Sequence, residues 1–322
     1  MTPTAGTTTT SGIDRAHAAA LRSIARTVEE TAQPHPPEVA RNGIHDLLEA
    51  GEVLCLTGAG ISTDSGIPDY RGPSGSLSRH RPMTFQEFKY DAAARRRYWA
   101  RSFVGWRHMG AAEPNRGHEI LAQWQHSGLL TGLVTQNVDG LHAAAAQKIS
   151  DTGGANTVEL HGDLSRVVCL TCGNDEDRRA LDTRLEEANP GYAEAAAVAA
   201  ENMNPDGDVT LADEWVQRFH LVHCLICDAD TLKPDVVYFG ENVPAERKSA
   251  VEALIAASAS LLVVGSSMAV MSGFSIALKF AKAQKPIAVI NGGPSRVDPK
   301  ASWRWRTQIT PALEELSGSL QP

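Results

Sequence analysis

Short apolar runs recur along the chain, and each gives way to glycine and small polar residues. They occupy residues 53–56, 133–134, 260–264 and 286–290, and helix-like stretches lie between them. Runs of this length fit buried strands, which predicts an α/β fold built on a doubly wound, Rossmann-like parallel sheet. Sheets of this kind bind a nucleotide across the carboxyl ends of their strands.

The loop after the first run is rich in glycine. Gly58 and Gly60 follow the strand directly, where a missing side chain lets a phosphate approach the backbone. They make half of a dinucleotide fingerprint, because Thr63 stands in place of the third glycine. An ordinary strand-to-helix turn is the alternative. Residues 64–72 then form a predicted mobile loop, and its Arg71 is suited to a pyrophosphate or a carboxylate.

A polar cluster follows the run at residues 133–134. Gln136, Asn137 and Asp139 lie where a predicted strand ends, and His161 follows another short apolar run. Because an imidazole titrates near neutral pH, His161 is the candidate general base. A single histidine at a strand end is more often structural, so the neighbouring amides and carboxylate are what favour a catalytic site here.

Four of the five cysteines form two C-x-x-C pairs. Two such pairs indicate a tetrahedral zinc site, and four thiolates leave no position open for catalysis. A redox disulfide and chance are the alternatives. We find no signal peptide and no apolar run of about 18 residues, so we expect a cytoplasmic protein with reduced thiols, which favours zinc. The predicted ligands are Cys169, Cys172, Cys224 and Cys227, whereas Cys55 is a predicted core residue.

The net charge of −8 argues against nucleic acid as a direct partner. Residues 173–223, between the cysteine pairs, hold twelve acids and four arginines, so this acidic insert carries the whole excess. Such a run is usually a solvated face, and attraction of basic, lysine-bearing proteins is the alternative. We expect no membrane partner, and the sequence is compatible with a monomer and with a bacterial source.

Shifts in composition divide the chain into parts. Residues 1–12 are rich in threonine and predict disorder, and apolar spacing predicts a helix within residues 13–32. A smaller zinc-ribbon plus helical domain is thus inserted into the sheet domain. The predicted parts are an N-terminal extension at 1–37, a nucleotide-binding domain at 38–71, 131–164 and 231–318, a helical module at 72–130, and a zinc module with the acidic insert at 165–230.

Taken together, these motifs resemble the sirtuin family of NAD-dependent protein-lysine deacylases. The matching segments are residues 58–62, 66–71, 135–142, 161–162, both cysteine pairs, 233–241, 265–267 and 291–293. They occur in the family's order across residues 40–315. Residues 97–106 and 204–209 resemble the class II branch, which is typified by a mitochondrial sirtuin of animals and by bacterial relatives.

The resemblance implies removal of acyl groups from protein lysines, with NAD as a consumed cosubstrate, one structural zinc ion, and nicotinamide, O-acyl-ADP-ribose and free lysine as products. His161 would act as general base on the ribose hydroxyls, Asn137 would position ribose and water, and Asp139 would hold the nicotinamide carboxamide. The implied cofactor-binding residues are Gly58, Ala59, Gly60, Ser62, Ile67, Asp69, Tyr70, Arg71, Gln136, Asn137, Val138, Asp139, Gly265, Ser266, Ser267, Asn291, Gly292, Gly293 and Ile309.

The resemblance also implies that an acylated-lysine protein is the partner. A peptide would join the segment at residues 236–241 by β-augmentation, since this segment has strand character. The implied contacts are Val237, Phe239, Gly240 and Glu241.

Two further residues concern the acyl group. Tyr98 and Arg101 lie three apart on a predicted helix, hence on one face, and resemble the pair by which another sirtuin class reads acyl carboxylates. A guanidinium there would favour acidic acyl groups over acetyl. A solvated helix face is the alternative.

Other functions stay open from the sequence. Protein mono-ADP-ribosyl transfer would use the same site as deacylation. A weakly active regulatory protein that binds NAD or ADP-ribose would keep the glycines, although the joint presence of His161, Asn137 and Asp139 counts against it. A zinc-ribbon interaction module would leave those three residues unexplained.

Overall fold

A computed structural model describes residues 12–72, 75–78, 81–150, 154, 156–199 and 201–320. The disorder predicted for residues 1–12 therefore lies almost entirely outside the described residues. The helix predicted within residues 13–32 is shorter than expected, since α1 spans Gly12–Ile24. At its carboxyl end, the Arg71 guanidinium donates hydrogen bonds to the backbone carbonyl groups of Ser23, Ile24 and Arg26.

Helices and strands alternate along most of the described chain. The helices after α1 are α2 (Pro37–Glu49), α3 (Phe85–Tyr90), α4 (Ala92–Met109), α5 (Arg116–His126), α6 (Leu141–Ile149), α7 (Arg178–Ala188), α8 (Tyr192–Ala199), α9 (Asp213–Arg218), α10 (Ala245–Ala256), α11 (Met271–Lys282) and α12 (Ile309–Ser319). The strands are β1 (Val53–Thr57), β2 (Leu130–Thr135), β3 (Thr157–Glu159), β4 (Gly162–Cys169), β5 (Asp175–Asp177), β6 (Glu201–Met203), β7 (Val209–Thr210), β8 (Leu232–Val236), β9 (Ser260–Val264), β10 (Ile287–Asn291) and β11 (Trp303–Arg306). No helix in the described ranges is long and apolar enough to cross a bilayer.

The large domain is a six-stranded parallel sheet in the order β11-β10-β9-β1-β2-β3. Alternate residues of a strand point to opposite faces of the sheet, and helices cover both faces. The apolar strands β1, β9 and β10 are therefore buried on both sides. In β1, Val53 and Cys55 pack with α2, α5 and α12, whereas Leu54 and Leu56 pack with α10 and α11. The structure confirms the predicted doubly wound, Rossmann-like fold.

The strand order places a switch point between β1 and β9. From β1 the chain adds β2 and β3 on one side and later adds β9, β10 and β11 on the other, which opens a crevice at the carboxyl ends. Two glycines close the backbone there, since a Cβ at Gly60 would lie 2.9 Å from the Gly265 carbonyl oxygen and Gly265 itself has φ +63. The predicted glycine loop therefore fits a tight meeting of strand ends.

The small domain packs around a second sheet, the antiparallel β5-β4-β8. Its core combines α3 and α4 with the zinc module through large fully buried side chains such as Phe88, Phe103 and Phe219. Arg178 is also fully buried, with its guanidinium 5.0 Å from the ring centres of both Trp99 and Trp106. The helical and zinc modules thus share one hydrophobic core.

Packing also bears on the predicted domain ranges, which stay predictions. α5 lies within the predicted helical module, yet Ile120, Leu121 and Trp124 pack into the core of the large sheet. β4 crosses the predicted boundary at residues 164 and 165, because it runs unbroken from Gly162 to Cys169. The buried contacts therefore group α5 with the sheet and all of β4 with the small domain.

The four paired cysteines meet at one end of β4. The Sγ atoms of Cys169 and Cys227 lie 3.6 Å apart, as do those of Cys172 and Cys224, and all four fall within 4.8 Å of one another. Sulfur atoms bound at ~2.3 Å to one tetrahedral zinc ion are ~3.8 Å apart, so these residues fit the metal. The four cysteines are arranged to bind one structural zinc ion.

Cys172→Ser is expected to destabilise the small domain, since a structural zinc ion contributes on the order of 10 kcal/mol of apparent binding free energy. The midpoint of thermal unfolding should fall, and metal analysis should find much less than one zinc per chain. Ile226→Ala is the control, because Ile226 lies between two of the ligands with 71% of its surface exposed. Zinc-free wild-type protein with the same midpoint as the zinc-loaded form would contradict the assignment.

Candidate active site

The crevice at the switch point is lined by the residues that follow β1, β2 and β9. Gln136, which follows β2, donates its Nε2 hydrogens to Ser266 Oγ at 2.8 Å and to the Thr57 carbonyl at 3.3 Å. Ser266 Oγ also accepts from the Met268 backbone N–H at 3.2 Å. One amide therefore joins the carboxyl ends of three neighbouring strands.

The hydroxyl of Ser62 organises the predicted catalytic residues. It donates to Asp139 Oδ2 at 2.7 Å and accepts from Asn137 Nδ2 at 3.0 Å. Asn137 Nδ2 also donates to the Gly58 carbonyl at 3.2 Å, and Asp139 Oδ1 accepts from the Leu141 backbone N–H at 3.0 Å. Burial raises the pKa of Asp139, and these hydrogen bonds oppose that rise. The loop after β2 is thus locked to the turn after β1.

Two buried histidines contact the residues of this arrangement, at Ser62 and at Thr57. His118 Nδ1 accepts from the Asn115 backbone N–H at 3.3 Å, which leaves Nε2 to donate to Ser62 Oγ at 3.4 Å. His142 contacts Thr57 Oγ1 at 2.9 Å, and the two imidazole rings are 4.7 Å apart. Burial lowers the pKa of His118 to about 4, and burial together with the nearby His118 lowers the pKa of His142 well below its usual value.

His161 lies between β3 and β4, next to the loop that follows β2. Its Nδ1 is 2.9 Å from the Gln136 carbonyl oxygen, and its Nε2 is 2.7 Å from Ser272 Oγ. Burial lowers the pKa of His161 to about 4, the hydrogen bond to Gln136 opposes this, and Arg247 lowers it further. The imidazole is therefore neutral at pH 7, as a general base must be before it accepts a proton.

The loop predicted at residues 64–72 is held by its own polar groups. Asp69 Oδ1 accepts from the Gly72 backbone N–H at 2.8 Å, which closes a turn, and Ile67 is buried in the small-domain core. Burial and the carboxylates of Asp206 and Asp208 raise the pKa of Tyr70 well above its usual value. Arg71 donates from its Nε and Nη2 to backbone carbonyls at the carboxyl end of α1.

The remaining predicted cofactor residues lie at the far end of the crevice. Asn291 ends β10, and its Nδ2 donates to the Gly293 carbonyl at 2.7 Å. Arg306 donates to the same carbonyl, and its Nη2 lies 2.9 Å from Asp298 Oδ2. Ile309 opens α12 and is buried against the sheet. The other predicted members of the set, Ala59, Val138, Ser267 and Gly292, flank these same strand ends.

The predicted substrate segment leaves the end of β8 beside His161. The Val237 backbone N–H donates to the His161 carbonyl at 2.7 Å, and the Phe239 carbonyl accepts from the Phe85 N–H at 2.9 Å. Strand structure ends at Val236, and the segment continues in the loop that contains Gly240. Lys233 holds this loop, because its Nζ is 2.6 Å from the Val236 carbonyl and 3.2 Å from Glu241 Oε2.

The predicted acyl-reading pair lies deeper in the small domain. Tyr98 is buried, and its ring packs edge-on against Phe88 at 5.5 Å. Arg101 is half-buried, and its Nε has no hydrogen-bond partner among the described residues. Its charge acts on Asp206, whose pKa is raised well above the usual range by burial and by Asp208.

Sequence reasoning missed Ser272, Lys233 and the two buried histidines as parts of the site. Lys233 and His142 lie inside the segments that carried the resemblance, and a polar residue within such a segment was the available signal. Ser272 lies in α11, five residues beyond the Gly265–Ser267 turn, and no spacing rule links it to His161. Only the folded chain brings these two side chains together.

Three buried imidazoles make stability depend on pH. Their pKa values are below the unfolded value of about 6.5, so unfolding takes up protons as the pH falls from 6.5 towards 4, and stability is lost across this window. The Glu159 carboxyl acts oppositely, since burial raises its pKa to about 7. Comparing wild type with a variant that lacks one histidine isolates the contribution of that imidazole to the pH dependence of stability.

His142→Asn is expected to remove up to about one proton from this uptake, or ~1.4 kcal/mol per pH unit. The difference in free energy of unfolding between wild type and variant, measured with urea at pH 7, 6 and 5, should therefore shrink as the pH falls. His126→Asn, at the exposed end of α5, should leave the pH dependence unchanged. An equal pH dependence for wild type and His142→Asn would refute the prediction.

Comparison with known proteins agrees with the geometry. The Sir2 family model matches residues 58–272, more than half of the chain. NAD-dependent protein deacetylase 1 of Corynebacterium efficiens is 54% identical over 281 residues, which cover 87% of this chain and 98% of that protein. The NAD-dependent protein lipoamidase sirtuin-4 of Bos taurus mitochondria is 40% identical over 292 residues, which cover 90% of this chain and 86% of that protein.

A solved structure described as Sir2 with a p53 peptide and NAD+ has a TM-score of 0.66 and 25% sequence identity, and the match covers 86% of this chain and 97% of that chain. The relatives thus include both a bacterial deacetylase and a mitochondrial animal sirtuin. On the extent of the family match and the identity to these relatives, the chain belongs to the Sir2 family, the sirtuins.

Proposed function

We propose that this protein removes acyl groups from protein lysines and consumes NAD in doing so. The observation that carries the proposal is a neutral His161 whose backbone carbonyl also pairs with the substrate segment at Val237. The base and the segment that binds the acylated lysine therefore lie side by side, just before β4 and just after β8. Relatives named as NAD-dependent deacetylases and deacylases support the same activity.

NAD supplies the reaction with a nicotinamide–ribose bond that is already primed to break. The crevice holds its polar side chains in place in advance, because hydrogen bonds fix Gln136, Asn137 and Asp139 before any ligand enters. Asp139 presents a carboxylate for the nicotinamide carboxamide, and Ile67 walls that pocket. His161 Nε2 takes a proton from a ribose hydroxyl, and Asn137 orients ribose and water.

The protein substrate is bound by the segment after β8 and attracted by the acidic insert. The insert holds a net charge of −8, which favours approach of basic, lysine-bearing segments at low salt. We place the enzyme in the cytoplasm and infer no membrane or nucleic-acid partner. Its targets are acylated proteins of that compartment.

His161→Ala is expected to lower deacylation by ~10² to 10⁴, the usual contribution of a general base. The variant should stay folded and bind NAD with the wild-type dissociation constant, since His161 contacts the crevice through one backbone carbonyl and one hydroxyl. Turnover of an acyl-lysine peptide, together with NAD binding by calorimetry, checks both statements. Retention of more than a few per cent of wild-type turnover removes His161 as the base.

The same assay separates deacylation from ADP-ribosyl transfer. A deacylase releases nicotinamide only when an acylated peptide is present, and the release should equal the lysine freed. An ADP-ribosyltransferase would release nicotinamide with an unmodified acceptor protein and would leave that protein labelled. Release that is independent of acylation would therefore contradict the proposed function.

The enzyme is expected to prefer acidic acyl groups, because Arg101 Nε has no hydrogen-bond partner among the described residues and a carboxylate would supply one. Comparison of kcat/KM for acetyl, glutaryl and longer branched acidic acyl-lysine peptides measures the preference. Arg101→Ala should reduce the ratio of glutaryl to acetyl kcat/KM by about tenfold or more, the loss of one charged hydrogen bond. Arg96→Ala, exposed on the same helix, is the control. An acetyl preference that Arg101→Ala leaves unchanged would disprove the role.

A further inference from the structure

The base His161 is in contact with a hydroxyl group from the large domain. Ser272 lies in the first turn of α11, and its Oγ is 2.7 Å from His161 Nε2. The neighbouring Gly273 packs against Gln136, where a Cβ would lie 2.4 Å from the Gln136 Oε1. The first turn of α11 is therefore fixed against the same loop that binds the other side of the imidazole.

Hydrogen-bond chemistry assigns the protons of this pair. A carbonyl oxygen only accepts, so the Gln136 carbonyl requires the hydrogen of the neutral ring on Nδ1. The lone pair is then on Nε2, and the Ser272 hydroxyl donates to it. The nitrogen that must accept the substrate proton is thus held by a serine in the free protein.

We propose that Ser272 is a positioning residue for the general base. Its hydroxyl and the Gln136 carbonyl hold the imidazole from two sides, which fixes both the tautomer and the direction of Nε2. This inference rests on the proposed function, in which Nε2 takes a proton from a ribose hydroxyl. It adds a residue of α11 to the catalytic base, which lies between β3 and β4.

The serine also assists after the proton has moved. Nε2 has a single lone pair, so the Ser272 hydroxyl first rotates its hydrogen away from it; the O–H bond of the ribose hydroxyl then breaks, its electron pair stays on oxygen, and the proton forms an N–H bond at Nε2. Ser272 then turns from donor to acceptor and takes a hydrogen bond from the imidazolium. A bond from a charged donor is stronger than one between neutral groups, so Ser272 stabilises the protonated base more than the neutral one.

Ser272→Ala should therefore slow the step that uses the base and spare the step before it. We expect kcat for an acyl-lysine peptide to fall about 10- to 100-fold, the loss of one hydrogen bond to a charged group, with KM for NAD and peptide unchanged. Exchange of labelled nicotinamide into NAD, which precedes the base step, should keep its wild-type rate. Ser275→Ala is the control, since this hydroxyl donates only within α11, to the Ser272 carbonyl at 3.0 Å.

The free protein gives a readout that needs no turnover. In ¹⁵N-labelled protein, the Nε2 resonance that His161→Ala removes should shift in Ser272→Ala, because its lone pair loses a donor, while the Nδ1 hydrogen stays in place. The proposal is overturned by an unchanged kcat, by an unshifted Nε2 resonance, or by equal losses of exchange and turnover. If wild-type protein shows no acyl-dependent nicotinamide release, the proposed function fails, and the resonance still tests the Ser272 contact.

Discussion

The closest approach that a missing side chain allows, among the glycines that the structure describes, is the contact between Gly162 and the backbone of β8. A Cβ at residue 162 would lie 1.8 Å from the Asp235 carbonyl oxygen, and the glycine has φ +86, a region that side chains disfavour. This residue directly follows His161 and opens β4. The missing side chain lets β8 come close enough for the Val237 N–H to reach the His161 carbonyl, so base and substrate segment depend on one glycine.

Strands β4 and β8 connect the catalytic base at one end to the zinc ligands at the other. β4 starts beside His161 and ends at the zinc ligand Cys169, a span of ~26 Å at about 3.3 Å per residue. β8 runs antiparallel to it, from near the second cysteine pair back to the substrate segment. The metal therefore fixes one end of a stiff two-stranded unit whose other end carries the site, which explains a structural ion so far from the reaction.

The sequence allowed the fold and much of the site to be predicted, because those features depend on local pattern. Strand ends at Gly58, Gln136 and Gly265 and the spacing of the cysteines are visible in short windows of residues. The rest required contacts between distant segments. Neither the donation from Arg71 to α1 nor the approach of Ser272 to His161 follows from spacing, since each joins elements separated by tens to over a hundred residues.

Burial of Cys55 has a chemical consequence. Its side chain is fully enclosed in the large sheet, and burial raises the pKa of its thiol well above the usual value, so it yields almost no thiolate. All other sulfhydryl groups of the chain belong to the two cysteine pairs. A thiol-specific reagent that meets the folded protein therefore reacts first at the four cysteines arranged to bind zinc. The reactivity of those thiols then depends on whether the metal is bound.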